Sequence, residues 1–194
     1  MKAHSKCTVL LLALTLFSFS CSKKSISDST KNDEDMIQQE ELMPLSQDME
    51  LVYETKSYEN GVLADEQIHS SVVTKIDEGT FYMDGQKYWQ FEDGKIYRLF
   101  PTRGGAITRA LYFFEPEESE QWYSSLVGGD VVVQAKAEKV NDEVTVSMGT
   151  FPSCLVYTIY DEKYTVVPGT GIVRIVRGKK GDAYYSITDL IEVK

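Results

Sequence analysis

From residue 49 to 100 the chain repeats one device: a short run rich in Val, Ile, Tyr and Thr, then a glycine preceded by Asn, Asp or Glu. The runs are MELVYETKSY, QIHSSVVTKI, GTFYMDGQKYWQF and GKIYRLF. The breaks fall at Asn60 and Gly61, Glu78 and Gly79, Asp84 and Gly85, and Asp93 and Gly94. A two-residue period puts successive side chains on opposite faces of a strand. Asn-Gly and Asp-Gly supply the positive φ that tight hairpins demand. Strands joined this closely must run antiparallel, because a parallel pair needs a long crossover.

The C-terminal half keeps the pattern. DVVVQAKAEKV, EVTVSM, SCLVYTIYDEKYTVV, GIVRIVRG and AYYSITDLIEV read as strands, with turns at Asn141 and Asp142, Asp161 and Glu162, Pro168 and Gly169, and residues 179–182. Two stretches depart from it. In EPEESEQWYSSL, Pro116 precedes Glu117, Glu118 and Glu120, and Trp122 and Leu126 stand four apart, so the spacing predicts a helix over 116–126. PTRGGAITRALYFF, residues 101–114, reads as an irregular surface loop, with Arg103 and Arg109 as candidate receivers of an anionic ligand. The expectation is a mainly β fold: a strongly curved antiparallel sheet or open barrel of about ten strands, with one short helix at its mouth or edge.

Ahead of this domain, Lys2 and Lys6 precede an uncharged run, residues 8–20. It is shorter than the ~20 residues of a spanning helix and has the charge order of a secretory signal. Ser18 and Ser20 stand three and one residues before Cys21. A cysteine after such small residues resembles the lipobox of bacterial lipoproteins, with Ser18 where Leu or Val is usual. The resemblance implies that the Cys21 thiol is alkylated with diacylglycerol and the chain is cut just before it. Two or three acyl chains at about 0.8 kcal/mol per buried CH₂ make a stable anchor. A plain secreted product and an uncleaved N-terminal anchor are the other readings. The expected organisation is a signal peptide over 1–20, a lipidated Cys21 with a flexible polar tether over 21–48, and a single β-rich domain over 49–194. Ser22 after the cysteine favours the outer membrane of the bacterial envelope over the inner.

The formal net charge is −10, and removal of residues 1–20 takes two lysines with it and leaves −12. Such acidity argues against nucleic acid as a partner and against electrostatic docking on anionic lipid. The expected membrane partner is therefore reached through the acyl chains alone.

The sequence singles out no catalytic set. Beyond residue 21 the only cysteine is Cys154 and the only histidine His69. Thiol chemistry needs a base beside the sulfur, and the alternating SCLVYTIY around Cys154 reads as sheet packing. Gly-x-Ser-x-Gly is absent. The glutamates near 117 lack companion metal ligands, and VPGTGIV, residues 167–173, lacks the lysine of a phosphate loop and reads as a turn or bulge. No metal and no cofactor is expected.

Two stretches carry a resemblance. DEVTVSMGTFPSCLVYTIY holds Val146, Gly149, Thr150, Phe151 and Cys154, and YTVVPGTGIVRIV holds Tyr164, Pro168, Gly169, Gly171 and Val173. Together they resemble an uncharacterised family of bacterial periplasmic proteins and lipoproteins. The resemblance implies a β-rich domain with no catalytic residues to carry over. The functional expectation is a lipid-anchored module that binds an apolar ligand or an envelope protein. Its motive is the aromatic-rich strands (Tyr53, Phe81, Tyr88, Trp89, Tyr97). The alternative is an envelope hydrolase working through carboxylates or a Cys154 and His69 pair.

Overall fold

The computed structural model describes residues 42–83, 87–102, 104–127 and 131–194. The segment read as a signal, Cys21, the tether as far as residue 41, the Asp84 and Gly85 turn and Arg103 lie outside the described residues.

The elements are β1 (Glu50–Glu59), β2 (Val62–Asp77), β3 (Thr80–Met83), β4 (Lys87–Glu92), β5 (Lys95–Pro101), β6 (Ile107–Phe114) and β7 (Glu120–Val127). They continue with β8 (Val131–Val140), β9 (Val144–Val146), β10 (Gly149–Phe151), β11 (Cys154–Ile159), β12 (Glu162–Val167), β13 (Gly171–Arg177) and β14 (Tyr184–Val193). Twelve form one sheet in the order β6-β5-β4-β3-β2-β1-β14-β13-β12-β11-β8-β7, and β9 and β10 form a separate ribbon. The fold is thus the expected strongly curved antiparallel sheet, nearly closed into a barrel, with fourteen strands among the described residues where about ten were expected. Asn60 and Gly61 (φ 49° and 81°), like Asp93 and Gly94 (50° and 73°), both take the positive φ of two-residue hairpin turns. Register shifts interrupt the ladders at Val52/Tyr53, Ser57/Tyr58, Lys75/Asp77, Ile96/Tyr97 and Thr165/Val166. Such bulges bend and twist a strand, which is how a sheet this long curls back toward itself.

Two sequence expectations need correction. The helix predicted over 116–126 is absent. Pro116 is buried in the connection, and β7 takes its place, paired with β8 from Glu120↔Glu138 to Val127↔Val131. The acids that suggested a helix start act across strands instead: Glu120 bridges Lys136 at 2.9 Å and accepts from the Trp122 indole N–H at 3.2 Å. Trp122 stays exposed under the Lys136 ammonium, 5.8 Å from its ring centroid. Period two wins because Tyr123 and Ser125, facing inward, find partners that a helix would deny them. The stretch read as a loop over 101–114 is β6 for most of its length, and it carries the central aromatics of the core.

β6 and β7 are the two edges of the large sheet and do not pair with each other. Side-chain hydroxyls close this seam. Ser125 Oγ donates to the Leu111 carbonyl at 2.7 Å, Tyr123 to that of Tyr112 at 2.9 Å, and Tyr157 on β11 to that of Phe114 at 2.5 Å. A bulge makes room for this: Ile96 faces Phe113 and Tyr97 faces Leu111, so Tyr112 is the extra residue of β6 and Tyr112, Phe113 and Phe114 are all buried. Phe113 stacks on Trp89 (5.3 Å between centroids) and meets Tyr157 and Tyr164 edge-on at 4.9 and 5.4 Å. Phe114 meets Tyr123 edge-on at 5.0 Å. The cluster spans β4, β6, β7, β11 and β12, so the core bridges the gap left by the backbone.

At one end, Leu42 and Met43 are buried in the same core. A side chain at Gly171 would meet Met43 at 3.4 Å, and the φ of 93° there is one that glycine adopts freely. On the outer face the β9–β10 ribbon is held by Arg174. Its guanidinium grips Asp189 through two bonds of 2.6 and 2.7 Å and donates to the Thr145 carbonyl at 3.1 Å.

Tyr157→Phe removes one seam donor and leaves the Phe114 carbonyl buried without it. The expected loss is about 1–3 kcal/mol, read as a Tm lower by roughly 2–10 °C in calorimetry. An unchanged Tm contradicts the role given to this hydroxyl.

Candidate functional site

The residues of the two sequence motifs are structural in placement. Val146 ends β9, and Gly149, Thr150 and Phe151 form β10. Thr150 bonds Thr145 across the ribbon, hydroxyl to hydroxyl, at 3.0 Å. Cys154 opens β11 and is buried. Tyr164 on β12 and Val173 on β13 are buried in the core, and Pro168 and Gly169 sit in the turn that ends at Gly171.

Cys154 and His69 are not brought together in the sheet. β11 and β2 are separated by β12, β13, β14 and β1, which places them on opposite walls of the near-barrel. Burial pushes the Cys154 thiol up, with Lys163 lowering it and Asp142 raising it, so the sulfur is held as a thiol. His69 stacks on Tyr53 instead, at 5.8 Å between ring centroids.

The lumen divides into a filled half and a small cavity. The aromatic cluster occupies the side formed by β4 to β6 and β11 to β12. Toward β1, β2, β13 and β14 there remains a cavity of about 60 Å³, lined by Tyr53, His69, Ser71, Met83, Trp89, Ile172, Ile175 and Thr188. Ligand pockets are usually ≈ 300–1,000 Å³, so this one admits water-sized molecules and not a lipid chain. The Trp89 indole N–H is buried and has no partner among the described residues. A larger groove, about 950 Å³, opens to solvent past Met43, Leu45, Lys75, Glu78, Phe81 and Phe91; Phe81, opposite Trp89, and Phe91, two residues beyond it, stand on the same face of the sheet as Trp89.

One polar network beside the lumen was not visible in the sequence. The Arg98 guanidinium lies over the rings of Phe100 and Tyr112, at 4.9 and 5.5 Å from their centroids, and donates to the Tyr112 hydroxyl at 3.2 Å. Tyr164 donates a short bond to Glu162 Oε2, and Arg177 Nε donates to Oε1 at 2.6 Å. Burial works to raise the Glu162 carboxyl, but the Tyr164 hydroxyl and the Arg177 guanidinium outweigh it and hold it below the ordinary carboxylate range. Burial pushes the hydroxyls of Tyr112, Tyr123, Tyr157 and Tyr164 upward, so they remain protonated donors. Sequence reading put Glu162 in a turn. The turn holds Tyr160 (φ 57°) and Asp161, one residue earlier, so Glu162 is the first residue of β12 and faces Arg177. The signal was there in a Glu and a Tyr two apart, on one face of a strand. Arg109, a candidate anion receiver, is engaged by Glu92 and lies over the Tyr97 ring at 4.5 Å. Glu162 is thus held in a closed pair with Arg177, while the Arg98 Nε is buried without a hydrogen-bond partner among the described residues.

No protein-family model matches the chain, and no curated protein matches it. Among solved structures, a putative lipoprotein from Parabacteroides distasonis ATCC 8503 is similar at 13% identity and a TM-score of 0.44, over 83% of this chain and 100% of its own. At that level of likeness the fold and the site rest on this chain's own residues.

A carboxyl lowered on folding contributes stability that is present above its unfolded value and lost as pH falls through its folded one. Wild type therefore loses the Glu162 contribution below about pH 4.5. Glu162→Gln is expected to be less stable at neutral pH, with the difference narrowing as pH falls toward 3 in urea titrations. A difference that stays constant across that range contradicts the pairing.

Proposed function

We propose that this chain is a lipid-anchored lipoprotein of the bacterial cell envelope, acting as a non-catalytic binding or assembly module for a protein partner. The anchor reading rests on Cys21 behind Ser18 and Ser20 and a short uncharged run. The outer membrane is favoured by Ser22. The two hairpin motifs, from Val146 to Cys154 and from Tyr164 to Val173, support a place among the uncharacterised periplasmic and lipoprotein domains they resemble.

One observation favours a protein partner over an apolar ligand held inside the sheet: the size of the enclosed cavity. A cavity of about 60 Å³ is several times too small for the usual ligand pocket, because Trp89, Phe113, Tyr157 and Tyr164 fill the space. Recognition is therefore assigned to the outer surface, where Val62, Leu63, Ile68, Trp122 and Tyr184 are exposed. The hydrolase reading has less in its favour, since the Cys154 thiol is buried and pushed up, away from the β2 wall that carries His69.

The anchor is tested by feeding cells labelled palmitate. Wild type is expected to carry label and to sediment with membranes, and Cys21→Ser to lose both; label retained in Cys21→Ser rejects lipidation at this residue. Native mass spectra of the mature protein are expected to show the polypeptide with its own acyl groups alone. A further bound lipid in those spectra restores the apolar-ligand form.

A further inference from the structure

β2 is sixteen residues long, yet its two sides are used unequally. Toward β1 it is paired from Val62↔Glu59 to Glu50↔Val72. Toward β3 pairing begins only at Val73↔Met83 and runs to Asp77↔Thr80. Over 62–70 no described strand lies on that second side, and every residue of this stretch is exposed. Among the described residues the strand thus projects past β3 as an open edge.

Which backbone groups face outward follows from one pair of bonds. The Val73 N–H donates to the Met49 carbonyl at 2.8 Å, and the Asp48 N–H donates to the Val73 carbonyl at 2.9 Å, so the polar groups of Val73 point to the β1 side. In an antiparallel ladder a residue's N–H and C=O share one direction, and the direction alternates along the strand. No register shift separates Val73 from Asp65 on the β1 ladder. His69, Gln67 and Asp65 therefore face β1, and Glu66, Ile68 and Ser70 turn theirs to the open side. Three donors and three acceptors stand in a row, at the spacing that an added strand pairs with.

From this we infer that the open edge of β2 takes up an extended, basic segment of another polypeptide as an added antiparallel strand. The inference rests on the reading of this domain as a protein-binding module. Charge chooses the occupant. Asp65 and Glu66 sit in the middle of the edge, Glu66 bridging Lys56 of β1 at 3.3 Å, and the chain as a whole carries 30 acidic against 20 basic residues. A second copy laid antiparallel across this edge with Glu66 opposite its own counterpart would also set Asp65 diagonal to its counterpart, and like charges across a strand pair destabilise it. A strand with Lys or Arg opposite these positions gains where a second copy loses. Ile68, 67% exposed, and Val62, 69% exposed, give the same strand β-branched neighbours on either side of the acids.

The probe is a short synthetic peptide alternating lysine and threonine with valine, and its counterpart with glutamate for lysine, added to the full mature protein. The lysine peptide is expected to slow amide exchange at Glu66, Ile68 and Ser70, to bind more weakly as salt rises, and to bind at least ten-fold better than the glutamate peptide. Ile68→Pro removes an N–H that faces the open side and spares the β1 ladder. It is expected to weaken lysine-peptide binding at least ten-fold with Tm nearly unchanged, whereas Gln67→Pro, which breaks the β1 ladder, lowers Tm. Equal binding of the two peptides, protection that maps elsewhere, or binding that survives Ile68→Pro overturns the assignment. Concentration-dependent dimers abolished by Ile68→Pro overturn it in favour of a second copy. A lipid retained in native mass spectra removes the protein-binding reading itself, while a lipid-free protein whose peptide protection lies away from β2 removes the edge alone.

Discussion

A curved sheet that stops short of closure leaves two rows of backbone groups facing each other, and how those groups are satisfied decides what the interior can be. Here the facing strands are β6 and β7, and three hydroxyls, from Tyr123, Ser125 and Tyr157, reach the carbonyls of β6. A buried carbonyl without a partner costs about 1–3 kcal/mol, a large part of the 5–15 kcal/mol that holds a domain together. The tyrosines that supply the donors are also the walls of the core. Closing the seam with such side chains fills the lumen, because each phenol that reaches a carbonyl brings its ring inside. Tyr157 shows the coupling directly: its hydroxyl serves Phe114, and its ring packs edge-on against Phe113.

A filled lumen favours the outer surface as the place of recognition. An open barrel of this topology has room in principle for a chain-like ligand, but the Tyr112 bulge puts three successive aromatics of β6 inside. What remains is a cavity of water size beside Trp89. The polar groups near the lumen, Arg98, Glu162 and Arg177, are joined to tyrosines or to one another and stiffen the wall. The outer rim is different. β2 runs on beyond β3 with one side unpaired by any described strand, and Asp65 and Glu66 stand on that stretch.

The all-β class and most of the hairpins were legible in the sequence because both follow from local rules. Asn60 and Gly61, and Asp93 and Gly94, adopt the positive φ that their types favour. The helix over 116–126 was misread because its local signals were sound but were overruled from a distance. Pro116 and the glutamates suit a helix start, yet Tyr123 and Ser125 gain carbonyl partners on β6 and Glu120 gains Lys136 on β8. β6 was misread for a related reason: Gly104 and Gly105 hid a strand whose last three residues are all buried, a pattern that only a bulge reconciles with period two. The Glu162 network escaped notice because its register depends on whether the turn holds Tyr160 and Asp161 or Asp161 and Glu162. One residue of turn placement decides which face a carboxylate takes.

The central claim is that seam and core make the near-barrel one cooperative unit with a solid interior. Native-state hydrogen exchange, read residue by residue at low denaturant, tests it most directly. The account predicts that the slowest amides of β4 and β6 open with the same free energy as those of β11 and β12, since neither side can separate without breaking the Phe113 cluster. Opening of the β3 to β6 meander at a distinctly lower free energy than β11 and β12 would contradict it, and would turn the lumen back into a chamber that a ligand could enter.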